Sequence, residues 1–307
     1  MRVTVIGAGV VGLSCAVRLA EAGYQVGVLA RDLPLETTSA VAAAIWYPYL
    51  ISPPERVAAW SAYTYQELAK LAEAEPSITL RSGRELMPAA APDPWWSDAV
   101  PDLRRITPPA GFADGWAFTA PVVEMPRYLP YLVGRLTAAG GTLTRTTLTE
   151  LPNSAPVLVN CTGLGARFLA DDASLTPVRG QVVYLRQPGI TEWLLAERGG
   201  LIYVVPREHD VVVGGTSEPG EWSTRPDPEA AAAILARAVT LVPALADAPV
   251  LRHRAGLRPA RPAIRCEARQ AGSRVTVHCY GHGGAGVTVS WGCAEEVLRY
   301  VRTAVPI

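Results

Sequence analysis

The alternation of apolar and polar positions predicts that the chain opens with a strand, a helix and a second strand. Val3, Val5 and Ile6 form a short apolar run. Apolar residues then recur at helical spacing from Leu13 to Ala20, and Tyr24 to Leu29 returns to a strand pattern. Gly23 lies where a left-handed residue would end the helix. These patterns predict a β-α-β unit over residues 2–32.

Elements later in the chain follow from the same patterns and suggest two kinds of sheet. Strand-and-helix units lie at both ends of the chain, and neighbouring antiparallel strands fill the middle. This order predicts an α/β fold in which a discontinuous dinucleotide-binding domain carries an antiparallel substrate domain as insertions. A proline- and tryptophan-rich segment, 89–113, is expected to be a surface excursion. Helices are predicted at 61–74, 125–139, 228–242 and 290–302, and strands at 79–88, 115–123, 142–148, 157–160, 182–185, 201–206, 210–214, 250–254 and 275–280.

Three glycines give the first unit its chemistry. Gly7, Gly9 and Gly12 stand at the G-x-G-x-x-G spacing, between the first strand and the helix. In this context the glycines make a tight turn, admit a pyrophosphate and let helix and strand pack closely. After the second strand, Arg31 would suit the extra phosphate of NADP, and Asp32 the ribose of NAD or FAD. This position leaves the choice of dinucleotide open.

A second glycine turn lies near the end of the chain. The run from Gly281 to Gly286 follows a predicted strand and precedes the last predicted helix. Consecutive backbone N–H groups at such a helix start suit an anion or a polarised carbonyl. A plain tight turn is an equally good interpretation of this segment taken alone.

Composition narrows the functional class. The chain has 307 residues, a formal net charge of zero, and 18% charged residues. This balance carries no electrostatic footprint for nucleic acid or an anionic membrane. No stretch is long and apolar enough to cross a bilayer, so a cytoplasmic protein is expected.

The cysteines do not indicate a metal site. Their number is five, and no C-x-x-C pair occurs, so neither a zinc site nor a disulfide framework is predicted. A single bridge between Cys266 and Cys279 or Cys293 is left open. Most of the five are expected to be small buried hydrophobic residues.

Six short motifs or pairs of motifs, in order along the chain, together resemble the D-amino-acid oxidase family. The last one is close to that family's signature pattern. They are Gly7 to Leu13 with Leu29 to Pro34, Trp46 to Tyr49, Asn160 to Gly163, Arg179 to Gln181, Gly256 to Pro262, and His278 to Gly286 with Trp291 and Gly292.

The resemblance implies a discontinuous Rossmann-like FAD-binding domain with an inserted, mainly antiparallel β (α+β) substrate domain. The first would comprise 1–50, 127–182 and 252–307, and the second 51–126 and 183–251. It further implies non-covalent FAD, D-amino acid and O2 as partners, and hydride transfer from the substrate Cα to flavin N5. The products would be a 2-oxo acid, ammonia and hydrogen peroxide. A homodimer is left open.

The resemblance also implies roles for individual residues. Arg258 resembles the family's carboxylate-binding arginine, Tyr203 its substrate-binding tyrosine, and Gly284 the glycine whose carbonyl accepts the substrate amine. Tyr47 is expected to be a further substrate-binding residue. Residues expected to contact FAD are Gly7, Ala8, Gly9, Val10, Val11, Gly12, Ala30, Arg31, Asp32, Thr37, Thr38, Ser39, Ala43, Ala44, Ile45, Leu148, Thr162, Gly283, Gly284, Ala285, Gly286, Val287 and Thr288.

One departure from the family pattern affects access to the site. Relatives often carry a second tyrosine on a lid before the Tyr203 position. Here only Tyr184, within a predicted strand, lies between Gln181 and Tyr203. A short or missing lid is therefore expected, with quicker product release and with Tyr47 or Trp193 closing the pocket.

Substrate choice and the rival functions depend on the same pocket. No additional cation stands out for an acidic side chain, so neutral D-amino acids are the expected substrates. Within the family, a glycine or sarcosine oxidase and a D-aspartate oxidase are alternatives. Outside it, an NADP-dependent dehydrogenase and a non-catalytic flavin-binding protein are alternatives.

Overall fold

The structure, a computed structural model, describes residues 1–49, 51–153 and 155–305. Its helices are α1 (Val10–Glu21), α2 (Pro54–Leu71), α3 (Met125–Ala138), α4 (Ala166–Leu169), α5 (Pro228–Leu241) and α6 (Gly286–Ala304). Its strands are β1 (Arg2–Ile6), β2 (Gln25–Ala30), β3 (Ile78–Met87), β4 (Arg104–Arg105), β5 (Asp114–Val123), β6 (Thr142–Arg145), β7 (Val157–Asn160), β8 (Thr176–Arg186), β9 (Trp193–Glu197), β10 (Leu201–Pro206), β11 (Asp210–Gly214), β12 (Glu218–Pro219), β13 (Val250–Ala260), β14 (Arg265–Ala271) and β15 (Arg274–Tyr280).

The first sheet contains both ends of the chain. Its strand order is β14-β15-β7-β1-β2-β6. All pairs are parallel except β14 with β15. Strand β7 is buried along its whole length, as expected for a parallel strand covered on both faces. Helices α1 and α6 pack against each other beside this sheet, and their apolar faces enter the main core. The predicted β-α-β opening is confirmed.

The second sheet is mainly antiparallel. Its order is β12-β8-β11-β10-β9-β3-β5-β4, with β13 pairing along β8. The pair β3 and β9 is parallel. Successive strand residues point to opposite faces, and one face of the central strands buries Val183, Val204 and Val213 under α5. The opposite face is turned toward the functional cavity described below. The expected α/β class is thus confirmed.

Several predicted elements needed correction. Strands β8 and β13 are longer than predicted because ten residue pairs hold them together through the glycines and prolines that seemed to end them. Strands β9 and β14 were not predicted. Helix α2 begins at Pro54 rather than 61, with its prolines before or at the first turn, where no backbone N–H is lost.

The segment 89–113 is not wholly a surface excursion. Trp96 is only 4% exposed, and its ring packs against Trp46, Tyr47 and Phe118. A cluster of aromatic rings therefore anchors this irregular segment to the core. The proposed domain boundaries stay a prediction; two of them, at 182 and 252, fall inside β8 and β13.

Candidate active site

A cavity of about 1340 Å³ lies where the carboxyl ends of β1, β2, β7 and β15 meet one face of the second sheet. Ligands in open α/β sheets bind at this edge of the strands. Its volume exceeds that of ordinary small-molecule pockets, which hold drug-sized ligands in about 300–1,000 Å³. The cavity is therefore large enough for a long cofactor together with a second, small molecule.

The dinucleotide end of the cavity is built on backbone contacts that only glycine permits. A β-carbon at Gly12 would lie 2.1 Å from the carbonyl oxygen of Gly7. One at Gly7, whose φ is +112°, would lie 2.4 Å from the carbonyl oxygen of Cys161. The first turn of α1 thus sits directly on the strand ends and lines the cavity, with the backbone N–H of Val10 donating to Ser39 Oγ at 3.0 Å. This cradle fits a pyrophosphate at the helix start.

A chain of hydrogen bonds fixes the loop that follows β7. Asn160 Oδ1 accepts hydrogen bonds from the backbone N–H of Thr162 at 3.2 Å and from its hydroxyl at 2.8 Å. Asn160 Nδ2 lies 3.3 Å from His278 Nδ1. Burial, with help from nearby arginines, lowers the pKa of His278 to about 4. The imidazole is therefore neutral at pH 7, and its Nδ1 serves as the acceptor for Asn160.

The two charged residues after β2 pair with each other. Arg31 Nε and Nη2 donate to the carboxylate of Asp32 at 3.0 and 2.7 Å. An extra phosphate on NADP would need an unpaired cation here. The pairing removes that advantage for Arg31, although both side chains line the cavity.

The final glycine turn connects the cofactor end to the substrate end. Gly281 and Gly283 have φ of +83° and +52°, a conformation that favours glycine. A β-carbon at Gly284 would lie 2.7 Å from the ring of Tyr49 and 3.3 Å from Arg258 Cδ. The turn therefore brings the backbone of Gly284 into contact with both side chains at the predicted substrate position.

Arg258 provides the cation at that position. Its guanidinium crosses to Gly180 on β8, where a β-carbon would lie 2.4 Å from Cζ. Nη1 donates to the carbonyl oxygen of Thr216 at 3.0 Å. Within the ranges that the structure describes, no carboxylate forms an ion pair with Arg258. A half-buried guanidinium in this state can bind an external carboxylate through two N–H groups.

Tyr203 lies next to this guanidinium. Its ring covers Gly214, where a β-carbon would approach to 2.0 Å. Burial raises the pKa of the Tyr203 hydroxyl, and the charge of Arg258 opposes that shift. The phenol is therefore protonated at neutral pH and can donate a hydrogen bond.

Tyr47 and Glu85 form the third polar feature of the cavity wall. The Tyr47 hydroxyl donates to Glu85 Oε1 at 2.5 Å. Burial raises the pKa of both groups, and the hydrogen bond from Tyr47 lowers that of Glu85. Tyr47 was predictable from its motif. Glu85 was not, because a glutamate in a strand carries no signal of its own. Tyr49, part of a quoted motif, was also not assigned to the site.

The structure brings nearly all of the predicted residues together. Every residue expected to bind substrate or cofactor lines the cavity except Ala285. Ala285 is 1% exposed, and its backbone N–H donates to the carbonyl oxygen of His282. This hydrogen bond lies within the turn, and the cofactor contact expected of Ala285 stays a prediction.

The segment before Tyr203 contains no lid in the described structure. Strand β9 occupies its centre, and residues 198–200 make a short turn into β10. Trp193 is fully buried and donates its indole N–H to the carbonyl oxygen of Arg81, so the expectation that it closes the pocket is wrong. Tyr47 does line the cavity.

All five cysteines are free thiols in the structure. The sulfurs of Cys15, Cys161 and Cys279 lie within 4.8 Å of one another, and Cys279 Sγ lies 3.8 Å from His282 Nε2. Four of the five thiols are buried. The bridges that the sequence left open are not formed.

Comparison with known proteins decides the family. The model of the family described as FAD dependent oxidoreductase matches residues 2–299. The chain belongs to this family. The resemblance predicted from the motifs is confirmed, and FAD is the cofactor of this oxidoreductase. The NADP-dependent alternative is therefore set aside.

Relatives with known names agree with this family assignment. The oxidoreductase is 50% identical to a D-amino-acid oxidase of Rubrobacter xylanophilus, over 99% of this chain and 96% of the relative. It is 44% identical to a D-amino-acid oxidase of Streptomyces coelicolor, over 97% of this chain and 95% of that one. A human D-aspartate oxidase is 37% identical over 99% of this chain and 95% of its own length.

Solved structures show the same fold. A glycine oxidase from Bacillus cereus superposes with a TM-score of 0.82 at 20% identity, over 98% of this chain and 95% of the other. At such identity the likeness concerns the fold alone.

In the described part of this oxidoreductase, no helix combines the length and apolarity that crossing a bilayer requires.

Proposed function

We propose that the protein oxidises D-amino acids, with non-covalently bound FAD as hydride acceptor and O2 as the final oxidant. One observation carries the proposal. Arg258 forms no ion pair among the described residues and lies beside Tyr203, and both line the same cavity as the glycine cradle for the cofactor. The relatives at 50% and 44% identity that are named D-amino-acid oxidase support it.

The residues at the substrate end would hold a small zwitterion by its acid group. Arg258 binds the carboxylate through two parallel N–H groups, and Tyr203 donates its hydroxyl to the same group. The carbonyl oxygen of Gly284, a residue that packs against Arg258 Cδ, accepts a hydrogen bond from the neutral amine. These contacts fix the orientation of the Cα–H bond, and orientation supplies a large part of the barrier reduction.

The cofactor end would hold FAD without a covalent link. The cradle at Gly7 and Gly12, with the start of α1, would receive the pyrophosphate, and the pair of Arg31 and Asp32 after β2 would bind near the ribose. FAD supplies the hydride acceptor, which no side chain of the protein can provide. The imino acid product leaves and is hydrolysed by water to a 2-oxo acid and ammonia, and O2 becomes hydrogen peroxide.

The visible spectrum under anaerobic conditions tests the proposal. The purified holoenzyme is mixed with D-alanine or L-alanine without O2, and the flavin band is followed. We expect D-alanine alone to bleach the band, and air to restore it with release of peroxide. A band unchanged by any D-amino acid would refute the proposal, and bleaching by glycine or sarcosine alone would favour that alternative oxidase.

The remaining expectations accompany the proposal. The homodimer and the cytoplasmic location stay predictions. The preference for neutral side chains depends on the wall of the cavity beyond Arg258.

A further inference from the structure

A carboxylate with no role in binding the α-carboxylate lies on the cavity wall. Glu85 is half-buried, and its side chain lines the cavity. One of its oxygens accepts the hydroxyl hydrogen of Tyr47 at 2.5 Å. In the described residues, no lysine, arginine or histidine forms an ion pair with it. A carboxylate on strand β3 would gain more from water at the protein surface than from this position.

The strand register places Glu85 at a defined distance from the substrate clamp. Glu85 pairs with Leu195, and Leu195 pairs with Tyr203 on the other side of β9. Paired residues of neighbouring strands point to the same face of a sheet. Glu85, Leu195 and Tyr203 therefore form one row on the cavity face. Two strand spacings place the Cα of Glu85 about 9.5 Å from the Cα of Tyr203.

The cation that continues this row lies on the far side of Tyr203 from Glu85. Arg254 also lines the cavity, but it continues the same row through Val182 and Gly214 on the opposite side of Tyr203. Leu195, between Tyr203 and Glu85, presents an apolar surface. A substrate held by its carboxylate near Tyr203 would thus pass its side chain over Leu195 toward the carboxylate.

We propose that Glu85, oriented by Tyr47, selects D-amino acids whose side chains end in a cation, such as D-lysine, D-ornithine and D-arginine. This inference rests on the proposed function and names its substrate class. The extended side chain of lysine reaches about 6 Å from Cα to the ammonium. That length exceeds the spacing of about 4.8 Å between neighbouring strands, so the side chain can cross Leu195 toward Glu85. A desolvated ion pair of this kind also disfavours acidic side chains, which the same carboxylate repels.

This inference revises the expected substrate range. The preference for neutral side chains rested on the lack of an additional cation in the pocket. The structure adds an anion at the position that a long side chain would reach. D-aspartate is disfavoured on both grounds.

Steady-state kinetics of the holoenzyme test the role of Glu85. D-lysine and D-norleucine have side chains of similar length, and only the first carries a charge. We expect the wild-type kcat/KM to be higher for D-lysine. Glu85→Gln keeps a carbonyl acceptor for Tyr47, so the fold should persist, and the substitution should lower kcat/KM for D-lysine about tenfold or more. The value for D-norleucine should change less than about threefold.

A matched variant separates contact from the general field of the cavity. Glu197 lines the same cavity two residues beyond Leu195 and is exposed at its rim. Glu197→Gln should leave the ratio of the two substrates unchanged. The proposal is overturned if Glu197→Gln lowers the ratio as much as Glu85→Gln does. It is equally overturned if the wild type prefers D-norleucine, or if Glu85→Gln affects both substrates alike. Failure to oxidise any D-amino acid would instead refute the proposed function itself.

Discussion

The guanidinium of Arg258 lies over Gly180, where a β-carbon would come within 2.4 Å of its carbon and both of its terminal nitrogens. The two residues belong to paired strands, since Gly180 on β8 stands opposite Gly256 on β13. The missing side chain at 180 therefore makes the room in which the cation sits. The position of Arg258 depends on a residue that contributes no functional group.

Gly180→Ala should consequently raise KM for the D-amino acid by about 10- to 100-fold, because the guanidinium must leave its position. The thermal unfolding midpoint should change little, since the clash is with the end of a flexible side chain. Gly27→Ala is the control: its β-carbon would meet only Thr142 Oγ1, at 3.6 Å. An unchanged KM in Gly180→Ala would show that Arg258 does not bind the substrate from this position.

Replacing Arg258 by lysine tests the bidentate grip. The charge is retained, but one ammonium cannot match both oxygens of a carboxylate. We expect kcat/KM to fall about 100-fold or more, with an unchanged flavin spectrum in the resting enzyme. Arg252 lies on the same strand, is largely exposed and pairs with Asp210, so Arg252→Lys should have no such effect. Equal activity of the two variants would contradict the assigned role. If Arg258→Ala changed nothing measurable, a non-catalytic flavin-binding protein would be favoured.

The glycine cradle is tested by flavin content. Gly12→Ala would place a methyl group 2.1 Å from the backbone oxygen of Gly7, forcing α1 away from β1. The variant should purify with little or no FAD. Gly134→Ala, inside α3 with no atom within 4 Å of the new carbon, should retain FAD and gain about 0.5–1 kcal/mol of stability. Full flavin loading of Gly12→Ala would refute the cradle.

His278 predicts how stability depends on pH. Its pKa in the folded protein is lowered from the ordinary 6.5 to about 4 by burial. The unfolded chain therefore binds a proton at a higher pH than the native state does. The stabilising contribution is complete above pH 6.5 and is lost as the pH falls toward 4, by about 3 kcal/mol in total.

Urea denaturation between pH 7 and pH 4 measures this dependence. His278→Gln should be less stable than wild type at pH 7 and should show a shallower loss on acidification. His209→Gln serves as the control because that imidazole is 82% exposed. An identical pH profile in wild type and His278→Gln would contradict the role given to burial.

How far the sequence predicts the structure depends on the range of the interactions. The unit from β1 to β2 was predictable because its signals are local: an apolar strand, glycines at fixed spacing and a left-handed Gly23 with φ of +92°. Strand β14 was not, since it lies at the sheet edge and most of its side chains are exposed. Edge strands of this kind show no alternation of apolar residues.

The same distinction holds within the site. Arg258 and Gly284 were found through motifs that the family shares, and Tyr203 through its position relative to those motifs. Glu85 was missed because its significance depends on Tyr47, 38 residues away in the chain, and on register with Tyr203 through β9. No pattern within β3 reports such a neighbour. Trp193 was misassigned for the same reason, since only the packed sheet shows it turned into the core.

The short turn at residues 198–200 has a consequence for ligand exchange that a hinged lid would not have. With no flap to swing at this point, ligand exchange requires no large backbone rearrangement there. The groups that choose the ligand stand on three separate strands, β3, β10 and β13. Substitution of one amino acid on β3 or β9 could therefore change the substrate selectivity without altering the part of the fold that holds the flavin.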